Sequence, residues 1–240
     1  MASMMYPKRG HAGSGQQKVL WVGLAASWLL LSHTPVTWAR DDFQSWNTIE
    51  ISKRVGPQWE LFFLPEIRIR DDASELFYHE YRQGIRWKPS KSLQVGLNYL
   101  FVRNESSGKP REEHTGELDV TPKVTVAQLN LSVRGRLAFR TIQGSSREQE
   151  WQLRLMPKMA YSIHLVGRTM TPYIADDVFY DYTRDAWNQN RVFLGVTVPW
   201  GKSLGAEVST DCYYMLQSQL GSRRDWSSNH ILGTKLSVKF

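Results

Sequence analysis

Period-two alternation of apolar and polar residues runs through this chain from about residue 42 to its last residue, and it governs what the chain can fold into. Successive side chains of an extended strand point to opposite faces, so strict alternation describes strands with one greasy and one polar face. Residues 128–142 show the pattern most clearly: Leu129, Leu131, Val133, Leu137 and Phe139 oppose Asn130, Ser132, Arg134, Arg136 and Arg140. Residues 148–160 repeat it, with Trp151, Leu153, Leu155 and Met159 against Glu148, Glu150, Gln152, Arg154 and Lys158. Residues 58–70 do so less cleanly, because Phe62 and Leu64 fall on the charged face. Similar segments cover 76–88, 92–103, 112–125, 170–181, 188–199, 203–218 and 228–240. Each has about 10–15 residues, near the 9–11 a tilted strand needs to cross a bilayer and well beyond the 5–6 of an ordinary strand.

The connections alternate as well. Short turns fall at Lys88-Pro-Ser-Lys-Ser92, Val126-Ala-Gln128, His164-Leu-Val-Gly167 and Trp200-Gly-Lys-Ser203, with longer polar stretches at Asp71–Glu75, Asn104–Glu113, Gln143–Arg147, Thr183–Trp187 and Gln219–Ser228. One short-turn end and one long-loop end is how single-chain outer-membrane barrels are built. The last segment puts His230, Leu232, Thr234, Leu236, Val238 and Phe240 on one face, and the chain stops on the aromatic. Such an ending resembles the closing strand that bacterial barrel-assembly machinery reads, which makes Leu236, Val238 and Phe240 the expected assembly signal. At the other end, Lys8, Arg9 and Lys18 precede an apolar run from Val19 to Leu31 and a small exit residue, Ala39. That run is short of the roughly 20 residues of a spanning helix, so residues 1–39 read as a cleavable secretory leader and 40–240 as one domain.

Together these features predict an all-β protein: a transmembrane antiparallel up-and-down β-barrel in a bacterial outer membrane. Ten strands follow from Trp59 onward, or twelve if two have been merged. Residues 42–54 resemble an eleventh strand. An odd count would put the two ends of the barrel on opposite sides, so the ten-strand count leaves them tucked into the lumen or capping the seam. Without residues 1–39 the chain carries 27 basic and 23 acidic residues. This mild excess, with no basic cluster on a helix or aromatic platform, excludes a nucleic-acid footprint. The single Cys212 excludes an internal disulfide.

If the apolar faces meet lipid, the polar faces fill the lumen. The candidate lumen charges are Glu117, Asp119, Arg134, Arg136, Arg140, Glu148, Glu150, Arg154 and Arg191. Opposite charges on neighbouring strands fall within pairing distance, so a salt-bridge lattice sealing a narrow barrel is one reading. A charged constriction that passes or binds a small solute or ion is the other. Asp176 and Asp177 face opposite sides of their strand and read as a solvated strand end. A metal site would need more oxygen ligands than they supply, and no metal or cofactor is expected. Ser228 and His230 are the weak catalytic candidates, two apart on the lipid-side face, without an identifiable orienting acid. Partners are expected to be outer-membrane lipid, the assembly machinery, and a small solute.

Several stretches together resemble the DUF2490 family of outer-membrane β-barrel proteins. They are Arg134-Gly-Arg-Leu-Ala-Phe-Arg140, Trp151-Gln-Leu-Arg-Leu155, Asp176-Asp-Val-Phe179, Trp187-Asn-Gln-Asn-Arg-Val-Phe-Leu-Gly195, and the tail from Asn229 to Phe240. Two departures accompany the likeness: Ala138 where the family pattern suggests an acidic residue, and Asp177 where it tends to carry Glu. The resemblance implies a location and a fold, and supplies no activity. Three functional classes remain: a narrow-channel, solute-binding or structural barrel; a lipid hydrolase using Ser228 and His230; and a surface-binding protein acting through its loops.

Overall fold

The computed structural model describes residues 42–105, 110–144, 149–165, 167–203, 205–221 and 225–240. The expected leader and Glu148 lie outside them. The described strands are β1 (Asp42–Arg54), β2 (Trp59–Arg70), β3 (Glu75–Ser90), β4 (Leu93–Asn104), β5 (Arg111–Val126) and β6 (Leu129–Ile142). They continue with β7 (Gln149–Tyr161), β8 (Ile163–Leu165), β9 (Arg168–Asp181), β10 (Ala186–Ser203), β11 (Ala206–Leu220) and β12 (Trp226–Lys239).

Each strand from β1 to β7 pairs antiparallel with the next, β7 pairs with β9, and the meander runs on to β12. The short β8 only adds a three-residue ladder to the start of β9. β12 then pairs with β1 in parallel, from Asp42 opposite Asn229 to Ser52 opposite Lys239. Among the described residues, eleven strands therefore close a β-barrel. The ten expected from Trp59 onward are present, and residues 42–54 are a full eleventh wall strand, neither a plug nor a cap. In an up-and-down meander an odd number makes the first and last strands run the same way, so one parallel seam is the geometric cost of closure. That seam leaves no open edge. It also engages the last residue: Phe240 N–H donates to Ser52 O at 2.9 Å, and Arg54 N–H donates to Phe240 O at 3.1 Å.

Alternation sorts the side chains as the sequence suggests. Outward positions carry Trp59, Leu61 and Phe63 on β2, Leu97 and Tyr99 on β4, Leu118 and Val120 on β5, and Leu232 and Leu236 on β12, all exposed. Aromatic residues flank this band. Trp59 stacks on Trp87 at the short-turn end, with ring centres 6.0 Å apart; Tyr180 meets Trp187 at the other end at 5.2 Å. The short-turn end has two-residue reversals at Lys91–Ser92 and Ala127–Gln128 and a four-residue one at 55–58. At the opposite end the strands run further into the loops than the polar stretches suggest, leaving 105–110 between β4 and β5 and 221–225 between β11 and β12.

Three inward glycines shape the wall. Gly84, Gly195 and Gly233 each lie under an aromatic ring from the neighbouring strand: Phe62, Tyr173 and Tyr213 respectively. A ring can lie flat along the wall only where no Cβ rises beneath it. The Tyr173 and Tyr213 rings pack with Trp46, Phe193, Met215 and Ile231 in an apolar layer inside the barrel, with Met215 and Ile231 fully buried.

Candidate functional site

The lumen on the loop side of this layer has two chemically different walls. On β2 to β6 the charges form a dense ion-pair ladder. The Arg68 guanidinium lies between the rings of Trp46 and Tyr78, 3.7 and 3.8 Å from their centres, and pairs with Glu66 at 2.6 Å and Glu80 at 3.2 Å. Arg82 bridges Glu80 at 2.9 Å and Glu117 at 3.4 Å. Arg136 sits directly across from Asp119 in register and grips it with two hydrogen bonds, 2.6 and 2.7 Å, while a third reaches Glu117 at 2.9 Å. Asn98 donates to Asp119 at 3.1 Å. Nearer the loops, Arg140 holds Glu113 at 2.8 Å and its register partner Glu150 at 3.4 Å. Pairing of this kind is what makes burial of so many charges tolerable, since an ion left alone there keeps an uncompensated desolvation cost.

The wall on β6 to β10 is built differently. Asp177, which the sequence reading placed at a solvated strand end, is 1% exposed and turned inward. It sits in the lumen because β9 and β10 extend past it toward the loops, and alternation sends it inward while Asp176 points outward, where Asn190 donates to it at 2.6 Å. Asp177 receives Arg154 in a short ion pair and Arg134 at 3.3 Å, and faces Arg191 directly in register. Arg191 Nε donates to Gln217 Oε1 at 2.8 Å, with the guanidinium 4.8 Å from the centre of the Phe179 ring.

Between these walls lies a cavity of about 510 Å³. Its mouth is at the loop end, among Asn104, Arg111, Glu112 and Ile142, and its floor is formed by Trp46, Met156, Phe193 and Tyr213. Beyond the floor a second ion-pair cluster fills the short-turn half: Arg86 with Glu50 at 2.5 Å and Glu60 at 3.0 Å, Lys88 with Glu60 at 2.7 Å, and Lys235 with Glu50 at 3.3 Å. None of these residues lines the cavity.

The structure turns Glu117, Asp119, Arg134, Arg136, Arg140, Glu150, Arg154 and Arg191 into the lumen, in the two groups just described. Glu66, Arg68, Glu80 and Arg82 belong to the same network and were not singled out from sequence. The alternating Glu80-Tyr-Arg82 carried the signal, since it repeats the charged face of β2 one strand on. Ser228 and His230 lie on the outward face, but each bonds to β11. Ser228 Oγ is 3.4 Å from Ser218 Oγ, and His230 Nδ1 is 2.5 Å from the Tyr214 hydroxyl. The same diagonal Tyr–His contact recurs at Tyr99 and His114, 2.6 Å apart, a repeat that marks it as a wall contact shared by two strand pairs. Among the described residues no group of three His, Cys, Asp or Glu side chains could hold a metal ion. Leu236 and Val238 line the outward face beside the seam that Phe240 closes.

A closed barrel of long strands with an apolar exterior and a charge-lined interior defines the class: a β-barrel protein. The model of the family described as "Protein of unknown function (DUF2490)" matches residues 43–228, and the chain belongs to that family. The match begins at Phe43, inside β1, and ends at Ser228, near the start of β12. No curated protein and no solved structure matches the chain.

Proposed function

We propose that this is an outer-membrane barrel that binds a small solute in a lumen entered from the loop side, and does not conduct through it. The observation that carries the reading is the cavity lined by Trp46, Met156, Phe193 and Tyr213 on its inner side, with the Glu50, Glu60, Arg86 and Lys88 ion-pair cluster outside its lining. Membrane placement is supported by the exterior. A water-soluble barrel rarely exposes a contiguous apolar patch beyond a few hundred Å², whereas here outward Trp, Leu, Phe, Val and Ile positions recur on every long strand. Aromatic residues at both rims and two-residue turns at one end have the arrangement of a bilayer-spanning barrel with its short turns in the periplasm. A cavity of this size falls within the range of about 300–1,000 Å³ typical of small-molecule sites.

Sided cysteine labelling in a Gram-negative host tests location, orientation and closure together. In a Cys212→Ser background, Ile142→Cys at the cavity mouth should react with a membrane-impermeant maleimide in intact cells. Lys123→Cys, at the short-turn end of β5, should react only after the outer membrane is permeabilised. Reversed labelling would invert the orientation, and labelling of both in intact cells would overturn the closed lumen.

A further inference from the structure

The β6–β10 wall has fewer carboxylates than arginines. A guanidinium has five N–H donors. Those of Arg134 meet one oxygen of Asp177, already shared with Arg154, and the Met156 thioether at 3.2 Å, a weak acceptor. The Nε atoms of both Arg134 and Arg154 are buried without a hydrogen-bond partner, as are Asp177 Oδ1 on the same wall and Arg82 Nε on the other. Arg191 has no carboxylate within ion-pair distance among the described residues; its Nε donates to Gln217 Oε1 at 2.8 Å, and the Gln189 side-chain oxygen, in the amide orientation its neighbours favour, accepts from Arg191 Nε and Nη2 at 2.8 and 2.9 Å, so its partners are neutral amides. Three cations thus share a single acid. Across the cavity Arg68, Arg82, Arg136 and Arg140 are met by more carboxylates than there are arginines. The Arg134 side chain is 26% exposed, and Arg134, Arg154 and Arg191 all line the cavity together with Trp46 and Phe179.

We propose that the cavity takes a small solute by an oxyanion group, carboxylate or phosphate, clamped by Arg134, Arg154 and Arg191, with the Trp46 and Phe179 rings against its remainder. This rests on the lumen being entered from the loop side. Asp177 is then the internal counter-ion that holds the three arginines in place while the site is empty. An incoming oxyanion supplies the negative charge the wall is short of, in charge-assisted hydrogen bonds that guanidinium groups form in planar pairs. Two flat rings beside the clamp favour an organic solute with an apolar or planar body over a bare ion.

The test is calorimetric titration of the folded full chain in detergent with inorganic phosphate and, separately, succinate, against chloride at equal ionic strength. Saturable binding of either probe is expected, and which one binds tells phosphate from carboxylate recognition. Arg191→Gln should weaken it about tenfold or more, the loss of one charge-assisted bond. Asp177→Asn should tighten it, because the internal carboxylate no longer competes. No saturable binding beyond chloride, or an unchanged affinity in either variant, overturns the proposal. Should a variant fail to fold, the wild type decides: its unfolding midpoint must rise saturably with phosphate or succinate relative to chloride, and no rise overturns it. A barrel that labels from both sides yet binds an oxyanion would defeat the one-ended lumen and leave this clamp standing. A closed barrel indifferent to both probes would do the reverse.

Discussion

Replacing Gly233 with Ala should destabilise the barrel although the same replacement at Gly116 should stabilise it. A Cβ on Gly233 would lie 2.0 Å from Cζ, 2.3 Å from Cε2 and 2.4 Å from the hydroxyl of Tyr213, far inside any real contact. The ring cannot slide away cheaply, because it packs against the Trp46, Met215 and Ile231 cluster and lies 5.5 Å from the Phe193 ring. Overpacking of this kind costs about 1–3 kcal/mol, and the removal of a flexible glycine from a strand returns only about 0.5–1 kcal/mol. The net expectation for Gly233→Ala is therefore a loss of roughly 1–2 kcal/mol. Gly116 faces outward with no atom within 4 Å of its would-be Cβ, so there only the gain of about 0.5–1 kcal/mol remains. Urea unfolding in lipid vesicles, followed by tryptophan fluorescence and by gel mobility of unheated samples, reads both. In a Tyr213→Ala background the cost at Gly233 should vanish, which a double-mutant cycle measures. A Gly233→Ala barrel as stable as the wild type, or a cost that persists without Tyr213, would refute the idea that this ring lies on the wall over glycine.

Two further predictions use the same unfolding assay. Leu97 points outward from the middle of β4 and is 63% exposed; Leu97→Arg should cost about 2–4 kcal/mol in vesicles, and an unchanged stability would remove this face from the bilayer. Arg136→Gln strands Glu117 and Asp119 in the lumen, for a loss of about 3–5 kcal/mol; a loss under about 1 kcal/mol would mean that Arg82 and Asn98 suffice to hold both acids.

The strands were legible because alternation is a local property: which face of β6 carries Arg134, Arg136 and Arg140 is settled by their spacing alone. Neighbouring pairs such as Arg140 and Glu150 were within reach for the same reason, since a hairpin brings adjacent segments together. Closure was not legible. Whether residues 42–54 join the wall depends on the ladder they make with residues 229–239, from the other end of the chain, and nothing in either segment alone specifies a parallel partner. The Asp177 cluster was hidden for a related reason. Arg134 and Asp177 are separated by β7, so their contact is set by how far side chains reach across an intervening strand. The inward aromatics showed as breaks in alternation, as Phe62 did, but only the glycines opposite them explain why the wall accepts them.

Single-channel recording of the folded protein in a planar bilayer, with unheated gel mobility confirming the fold, tests the closed lumen most directly. A lumen stopped by Trp46, Phe193 and Tyr213 and packed below with the Glu50, Glu60, Arg86 and Lys88 cluster predicts a folded barrel that shows no conductance steps. Steady, ion-selective steps from the wild-type barrel would contradict it and make the charged walls a filter.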